Sequence, residues 1–119
     1  MIFYGVYIRD PDLAFLFDAL RFIAQPDALR KAHITVRGPY ERRINIDHFN
    51  KKSLGDLCIE RPGNFFLNRQ NTVFLYCEIV GIWDVWNKPD FQGGIVHLTV
   101  YDGNDEKTAR QIFEALSRF

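Results

Sequence analysis

Histidine and cysteine are scarce in this chain of 119 residues, with three and two copies respectively. Cys58 and Cys77 form no Cys-x-x-Cys pair, so we expect two small buried hydrophobic side chains in a reducing compartment rather than a disulfide scaffold. The 15 basic and 15 acidic residues cancel, and no overall field favours a long nucleic acid. No apolar run approaches the length of a membrane span. The first ten residues have neither a basic leader nor a small-residue cleavage site, and we predict a cytoplasmic protein without a membrane partner.

The usual motifs of cofactor and metal chemistry are also missing. There is no glycine-rich phosphate loop, no Ser-His-Asp order and no cluster of His, Cys, Asp and Glu at ligand spacing. His48 lies in a polar stretch without such partners and is interpreted as a surface residue. We therefore expect no cofactor and no metal.

The first half of the chain predicts a strand, a helix and a second strand. Residues 2–8 are β-branched and aromatic, and Asp10 followed by Pro11 indicates a helix start. That helix is predicted over residues 11–24 and ends before Pro26. Its expected buried face repeats at three- and four-residue steps: Leu13, Leu16, Phe17, Leu20, Ile23 and Ala24. The sequence HITV then predicts a buried strand, and Gly38 and Pro39 are expected to end it.

The second half predicts strands and a closing helix. A short helix is expected to open at Asp47, strands are expected over 54–60 and 72–80, and RPGN (61–64) is predicted to form the turn between them. A loop over 81–94 precedes a strand in GIVHLTVYDG. The final helix is predicted over about 105–118, capped by Asn104, with an inner stripe of Ala109, Ile112, Phe113 and Leu116.

This order predicts one α+β domain over residues 1–119. Two strand–helix units flank a central run of strands, and no linker or low-complexity stretch divides them. We expect two lobes that share a sheet, each supplying one strand that begins with His-x-Thr. A weak internal repeat follows from that arrangement.

The first of these strands is HITV, residues 33–36. Because side chains alternate along a strand, His33, Thr35 and Arg37 are expected on one face and Ile34 and Val36 on the other. The aliphatic face suits the core beneath the helices. The polar face is then expected on the open side of the sheet.

The second strand, HLTV at residues 97–100, repeats the same chemistry. His97, Thr99 and Tyr101 are expected to share the open face, with Leu98 and Val100 in the core. If the two strands lie side by side, two imidazoles can act as general base and general acid on a phosphodiester. The two hydroxyls can donate hydrogen bonds to the phosphate oxygens. One His-x-Thr strand is ordinarily structural, whereas a matched pair favours a site.

The pair H-I-T-V and H-L-T-V resembles the two H-x-[TS]-x motifs of the 2H phosphoesterase superfamily, which includes 2′,5′-RNA ligase-like and cyclic nucleotide phosphodiesterase-like proteins. The resemblance covers most of the chain, including Arg-Gly-Pro-Tyr at 37–40. It implies a compact bilobal, pseudo-symmetric fold of antiparallel-type sheets, with helices on the outer face and a central groove. By the resemblance His33 and His97 are catalytic, and Thr35 and Thr99 bind phosphate. The implied activity is metal-independent hydrolysis or formation of a 2′-linked phosphoester, often the opening of a 2′,3′-cyclic phosphate.

Several neighbours of the motifs are further candidates. Arg37 is a candidate phosphate ligand, although a strand-end arginine is ordinarily solvated. Tyr101, Tyr40 and Tyr7 are candidates for base stacking, although aromatic residues near strand ends ordinarily pack.

Two other groups admit a functional and a structural interpretation. Trp83 and Trp86 form a lid or base platform, or they simply anchor the 81–94 loop. A basic cluster either follows an RNA backbone or is a solvated face: Arg42, Arg43, Lys51 and Lys52.

Three functions remain open from the sequence. The first is a 2H-type phosphodiesterase, expected as a monomer, acting on a small nucleotide or an RNA terminus. The second is a non-catalytic nucleotide or RNA-end binding module that uses the same groove. The third is a structural or interaction domain with incidental histidines. The physiological substrate, hydrolysis versus ligation, and the assignment of acid and base are left open.

Overall fold

The computed structural model describes residues 2–27, 31–47, 54–67, 69–87 and 95–118. In chain order the elements are β1 (Ile2–Tyr7), α1 (Pro11–Ala24), β2 (His33–Tyr40), β3 (Leu57–Leu67), β4 (Gln70–Ile79), a 3₁₀ turn (Ile82–Asp84), β5 (His97–Gly103) and α2 (Glu106–Leu116). The predicted α+β class is confirmed. The residues that follow Asp47 in the predicted short helix lie outside the described ranges. His48, Lys51 and Lys52 are among them.

The described strands form two antiparallel sheets. β1 pairs with β2 in one, and the other has the order β3-β4-β5. The expectation that both lobes share one hydrogen-bonded sheet is therefore wrong for the described residues. β2 and β5 nevertheless run next to each other, with Cα atoms within 8 Å. The two motif strands thus meet at the junction of the sheets.

Helix α1 begins as the sequence predicts. The Asp10 carboxylate accepts hydrogen bonds from the backbone N–H of Asp12 (3.0 Å) and Leu13 (3.1 Å), and Pro11 occupies the first turn. The predicted buried face is only partly right. Phe17 is buried and Leu20 and Ala24 pack beside it, whereas five large apolar side chains of this helix are exposed: Leu13, Phe15, Leu16, Phe22 and Ile23.

The predicted turn at RPGN is wrong, because β3 runs through it. Arg61 to Asn64 lie within the strand, and the hairpin turns between Leu67 and Gln70. Pro62 is tolerated because β3 is an edge strand, where a missing N–H costs no ladder hydrogen bond on the open side. The pairing register shifts between Ile59 and Pro62, as at a β-bulge.

Helix α2 is capped by Asp105 rather than by Asn104. The Asp105 carboxylate accepts a hydrogen bond from the backbone N–H of Thr108 at 3.2 Å. Ala109 is fully buried against Val73. The predicted inner stripe is confirmed, since its other members pack around the same cluster: Ile112, Phe113 and Leu116.

The aliphatic residues of both motifs are buried, as the alternation predicts; three of them share one cluster, and Val36 packs with Ile82 and Val85 in a second cluster. Ile34 of β2 is 1% exposed, and Leu98 and Val100 of β5 are fully buried; all three pack with Phe17 of α1. Burying these side chains stabilises this junction by roughly 1.5–3 kcal/mol for each large aliphatic group. α1 therefore lies beneath the place where the two sheets meet.

The cysteines differ from each other. Cys77 is buried in the core, and burial raises the pKa of its thiol to about 12. Cys58 is exposed on the edge strand, contrary to the expectation of burial, and both thiols are free.

Among the described residues no helix is long and apolar enough to cross a membrane.

Candidate functional site

The two motif histidines lie on the side of the sheets opposite α1. Ile34 and Leu98, which follow them, point into the core, so alternation directs His33 and His97 to the outer face. Because β2 and β5 are adjacent, the two histidines lie on neighbouring strands at the sheet junction. Burial is the main cause that lowers the pKa of His97, and the charge of a protonated His33 lowers it further, so the two rings lie within electrostatic range.

Both imidazole rings are held by the same local hydrogen bond. His33 Nδ1 lies 2.8 Å from the carbonyl oxygen of Lys31, and His97 Nδ1 lies 2.5 Å from that of Ile95. In each case the acceptor is the carbonyl two residues earlier. A carbonyl can only accept, so this contact fixes the neutral tautomer with its proton on Nδ1. Proton exchange with a substrate then falls to Nε2 in both rings.

The surroundings of His33 are half open. Its ring lies 5.7 Å from that of Tyr7, measured between centroids and tilted by 33°. Tyr7 is the cross-strand partner of His33 and is 59% exposed. A Cβ atom on Gly5 would lie 3.1 Å from Cδ2 of His33, so glycine at this position leaves the room that the ring occupies.

His97 is much more enclosed. It is 4% exposed, and its ring lies 5.1 Å from that of Phe74 in an edge contact. Burial lowers the pKa of His97, and a protonated His33 lowers it further, while the hydrogen bond to Ile95 partly opposes both. His97 is therefore the imidazole that the fold holds neutral.

The two threonines lie on the same outer face as the histidines. Thr35 pairs with Gly5 across the small sheet, and Thr99 pairs with Phe74 across the large one. Thr35 is 9% exposed and Thr99 is partly exposed. Each hydroxyl lies two residues from its histidine, one step along the groove.

A β-bulge follows the threonine in both motifs. Thr35 pairs with Gly5 but Arg37 pairs with Tyr4, so Val36 is the extra residue of β2. Likewise Thr99 pairs with Phe74 but Tyr101 pairs with Val73, so Val100 is the extra residue of β5. The bulges reverse the alternation, and the residue after each one turns to the helix side. The two strands therefore repeat each other in structure as well as in sequence.

Arg37 consequently does not share the face of His33 and Thr35, contrary to the expectation from strict alternation. Its Nε donates a hydrogen bond to the carbonyl oxygen of Val85 at 3.1 Å. It lines a cavity of about 520 Å³ that is otherwise mainly aliphatic, with Ile34 and Val36 in its wall. Tyr7 also lines this cavity, whereas His33 and His97 do not.

Tyr101 is turned to the core by the second bulge. It is 6% exposed, packs against Val73 and Ala109, and its hydroxyl accepts a hydrogen bond from the backbone N–H of Asp105 at 3.3 Å. The expectation that it shares the face of Thr99 is wrong.

Tyr40 lies at the far end of β2 from His33. Its ring is 6.1 Å from that of Tyr4, and its hydroxyl accepts a hydrogen bond from Asn87 at 3.2 Å. Of the three tyrosines predicted to stack a base, Tyr7 alone lies beside a motif histidine.

Three residues near His97 were not anticipated from the sequence: Phe74, Tyr76 and Arg61. Tyr76 is the cross-strand partner of His97, and the Arg61 guanidinium stacks over the Tyr76 ring at 4.3 Å. Arg61 comes opposite Tyr76 only through the register shift between Ile59 and Pro62, which the sequence does not indicate. The proline and glycine of RPGN indicated a turn instead.

The 81–94 loop is described only to residue 87. Trp86 is partly buried against Ile82 and Val85, whereas Trp83 is 71% exposed and meets Trp86 in an edge contact at 5.6 Å. Trp86 thus anchors the loop. Arg42 and Arg43 are exposed.

The donor set and the comparisons with known proteins complete the description of the site. Within the described ranges, no three His, Cys, Asp or Glu side chains are grouped as a metal site requires. No protein-family model, curated protein or solved structure matches the chain.

Proposed function

We propose that this chain is a metal-independent phosphodiesterase of the two-histidine type. The observation that carries the proposal is the repeated construction of β2 and β5. Each strand holds a histidine by Nδ1, places a threonine two residues later on the same face, and then bulges. Two histidines with only structural roles would have no reason to share this construction. A phosphate held between two strands would be contacted by both strands in the same way.

The burial of His97 suggests how the two rings divide the work. A neutral His97 accepts a proton from water at Nε2, and the resulting hydroxide-like oxygen attacks phosphorus. A protonated His33, half exposed, donates a proton from Nε2 to the ribose oxygen whose bond to phosphorus breaks. His97 ends protonated and His33 neutral, and exchange with solvent restores both. The proton count balances without a metal.

The two threonines act on the non-bridging oxygens. Their hydroxyls donate hydrogen bonds where negative charge grows as the phosphorus becomes five-coordinate. Thr35 approaches from the small sheet and Thr99 from the large one, so the phosphate is held from both sides.

The substrate class that suits this groove is a 2′,3′-cyclic phosphate or a 2′,5′-linkage at a nucleotide or RNA terminus. Both place one phosphodiester between a leaving ribose oxygen and the attacking water. The net charge of zero also suits a small substrate better than a long nucleic acid. The same groove without turnover would be a nucleotide-binding module.

The test is hydrolysis of 2′,3′-cyclic nucleotides and 2′,5′-linked dinucleotides by the parent chain and by His33→Asn and His97→Asn. Asparagine can keep a donor at the Nδ1 position while it removes Nε2. Each variant should lose activity by a hundredfold or more, on the order expected for loss of a general acid or base. The double variant should be little worse than either single variant, because the two rings act as a unit.

Melting curves for each variant separate the alternatives. If both variants melt far below the parent, the histidines are structural. If the variants are folded and the parent binds nucleotides without turning them over, the binding module is the correct account.

A further inference from the structure

A row of aromatic rings extends from His97 across the outer face of the large sheet. The Phe74 ring contacts His97 at 5.1 Å, Tyr76 at 5.1 Å and Phe65 at 5.4 Å. Phe65 and Phe74 are stacked, with an interplanar angle of 27°. Tyr76 lies at the edge of this row and is partly exposed.

Gly63 of β3 explains how the rings lie across the sheet. A Cβ atom there would come within 2.5 Å of Cε2 of Phe74 and 2.7 Å of Cε2 of Tyr76. Any larger residue would push both rings away from β3. The glycine therefore lets this aromatic row reach the edge strand.

Arg61 lies at the Tyr76 end of this aromatic row. Its guanidinium carbon lies 4.3 Å from the centroid of the Tyr76 ring, and its side chain is 70% exposed. Its ion pair with Glu60, at 3.7 Å and exposed, is too weak to fix it elsewhere. Tyr76 thus supports a planar cation whose other face is turned to solvent.

The distance from this pair to the histidine groove matches one nucleotide. Tyr76 is paired directly with His97, and Arg61 lies on the next strand. Two strand spacings amount to about 10 Å. A phosphate at His97 and a base against Arg61 can therefore belong to the same nucleotide.

We propose that the Arg61–Tyr76 pair is a base-binding subsite, on which a nucleobase stacks while its phosphate lies at His97. Guanidinium planes and aromatic rings stack with every base, so this subsite selects nucleotides over other phosphodiesters without selecting a sequence. The inference rests on the proposed function for the position of the phosphate. It adds that the substrate must carry a base.

The direct test is binding of adenosine 3′-phosphate, measured by calorimetry, with inorganic phosphate as the baseless probe. Tyr76→Leu removes the ring, and Arg61→Lys keeps the charge but removes the plane. Each should weaken nucleotide binding roughly five- to hundredfold, as for loss of one base-stacking contact, and leave phosphate binding unchanged.

The chain supplies a matched control in Arg110. Its guanidinium stacks over Phe66 at 4.5 Å in the same way, but Phe66 packs with Phe113 of α2, on the helix side of the sheet. Arg110→Lys should leave nucleotide binding as in the parent. Arg61 is exposed enough that its variant should fold even if Tyr76→Leu does not.

Turnover separates failure of this inference from failure of the proposed function. For 2′,3′-cyclic AMP the two variants should raise KM with little change in kcat, whereas for glycerol 1,2-cyclic phosphate they should match the parent. If adenosine 3′-phosphate binds the parent no more tightly than phosphate, or if Arg61→Lys binds it equally well, the subsite does not exist. If nucleotide binding depends on Arg61 but no cyclic phosphate is hydrolysed, the subsite stands and the enzyme proposal is overturned.

Discussion

The phenyl ring of Phe74 lies edge-on to the imidazole of His97, with 5.1 Å between centroids. This contact encloses His97 on the side where β4 runs beside β5. His97 is 4% exposed, and burial lowers the pKa of its imidazole from the ordinary value of 6.5. The neutral state of His97 is thus a consequence of packing, and it can be measured.

The first prediction concerns the pH dependence of the reaction. A general base must be neutral, so kcat/KM should rise with pH through the pKa of His97 and its acid limb should lie below 6.5. An NMR titration of the His97 ring protons should give the same midpoint. A limb above 6.5, or a His97 that titrates there, would contradict the assignment of His97 as base.

The same shift has a consequence for stability. An unfolded chain holds a proton on this histidine up to about pH 6.5, whereas the folded chain releases it at lower pH. Between the folded and unfolded pKa values the unfolded state binds more protons than the folded state. The free energy of unfolding should therefore rise as pH increases through this window and level off above pH 6.5. His97→Asn should abolish that slope when urea unfolding is followed across the window.

The second prediction concerns the threonine hydroxyls. Thr35→Val and Thr99→Val keep the shape and strand propensity but delete the donors, so each should lower kcat by about ten- to thousandfold. Thr72→Val is the matched control. Its hydroxyl donates to Asp102 at 3.1 Å, so that variant should lose stability and keep its rate. Rates near the parent's in the two motif variants would mean that backbone amides hold the phosphate.

The third prediction is that hydrolysis of a 2′,3′-cyclic nucleotide persists in excess EDTA. The two imidazoles supply both the acid and the base, and the described residues offer no cluster of metal ligands. The measurement is the initial rate before and after dialysis against the chelator. Loss of activity that zinc or manganese restores would refute the two-histidine mechanism.

The sequence predicted which side chains of the two motif strands enter the core, because that pattern is local. Alternation placed Ile34 and Leu98 in the core and the two histidines outside, and Asp10 with Pro11 marked the start of α1. Tyr7, a candidate for base stacking, lies beside His33.

The errors arose where pairing between strands overrides local pattern. A bulge depends on the register of the neighbouring strand, so strict alternation placed Arg37 and Tyr101 on the wrong face. Pro62 and Gly63 indicated a turn, but on an edge strand a proline is tolerated and the glycine makes room for aromatic rings. These features are set by contacts that are distant in sequence.

The fourth prediction concerns Asn71, which is 1% exposed. Neither its Nδ2 nor its Oδ1 has a hydrogen-bond partner among the described residues. Asn71→Leu is nearly isosteric and removes this desolvation penalty, so it should stabilise the fold by about 1–3 kcal/mol. Thermal and urea unfolding give the measurement, with the exposed Asn104→Leu as a control that should gain nothing. A loss of stability would indicate that Asn71 is hydrogen-bonded in solution.

The last prediction tests on which face of the small sheet the Arg37 side chain lies. Strict alternation would make this arginine a phosphate ligand beside His33, whereas the bulge at Val36 turns it to the other face, where it donates to the carbonyl oxygen of Val85. Arg37→Met should therefore leave kcat/KM as in the parent and lower the free energy of unfolding by about 1.5–3 kcal/mol, the range for a hydrogen bond that involves a charged group. Kinetics and urea unfolding of the same preparation measure both quantities, and Thr35→Val, with the opposite expectation, is the reference. A large fall in kcat/KM at unchanged stability would show that Arg37 reaches the phosphate and that the register of β1 and β2 differs in the working protein.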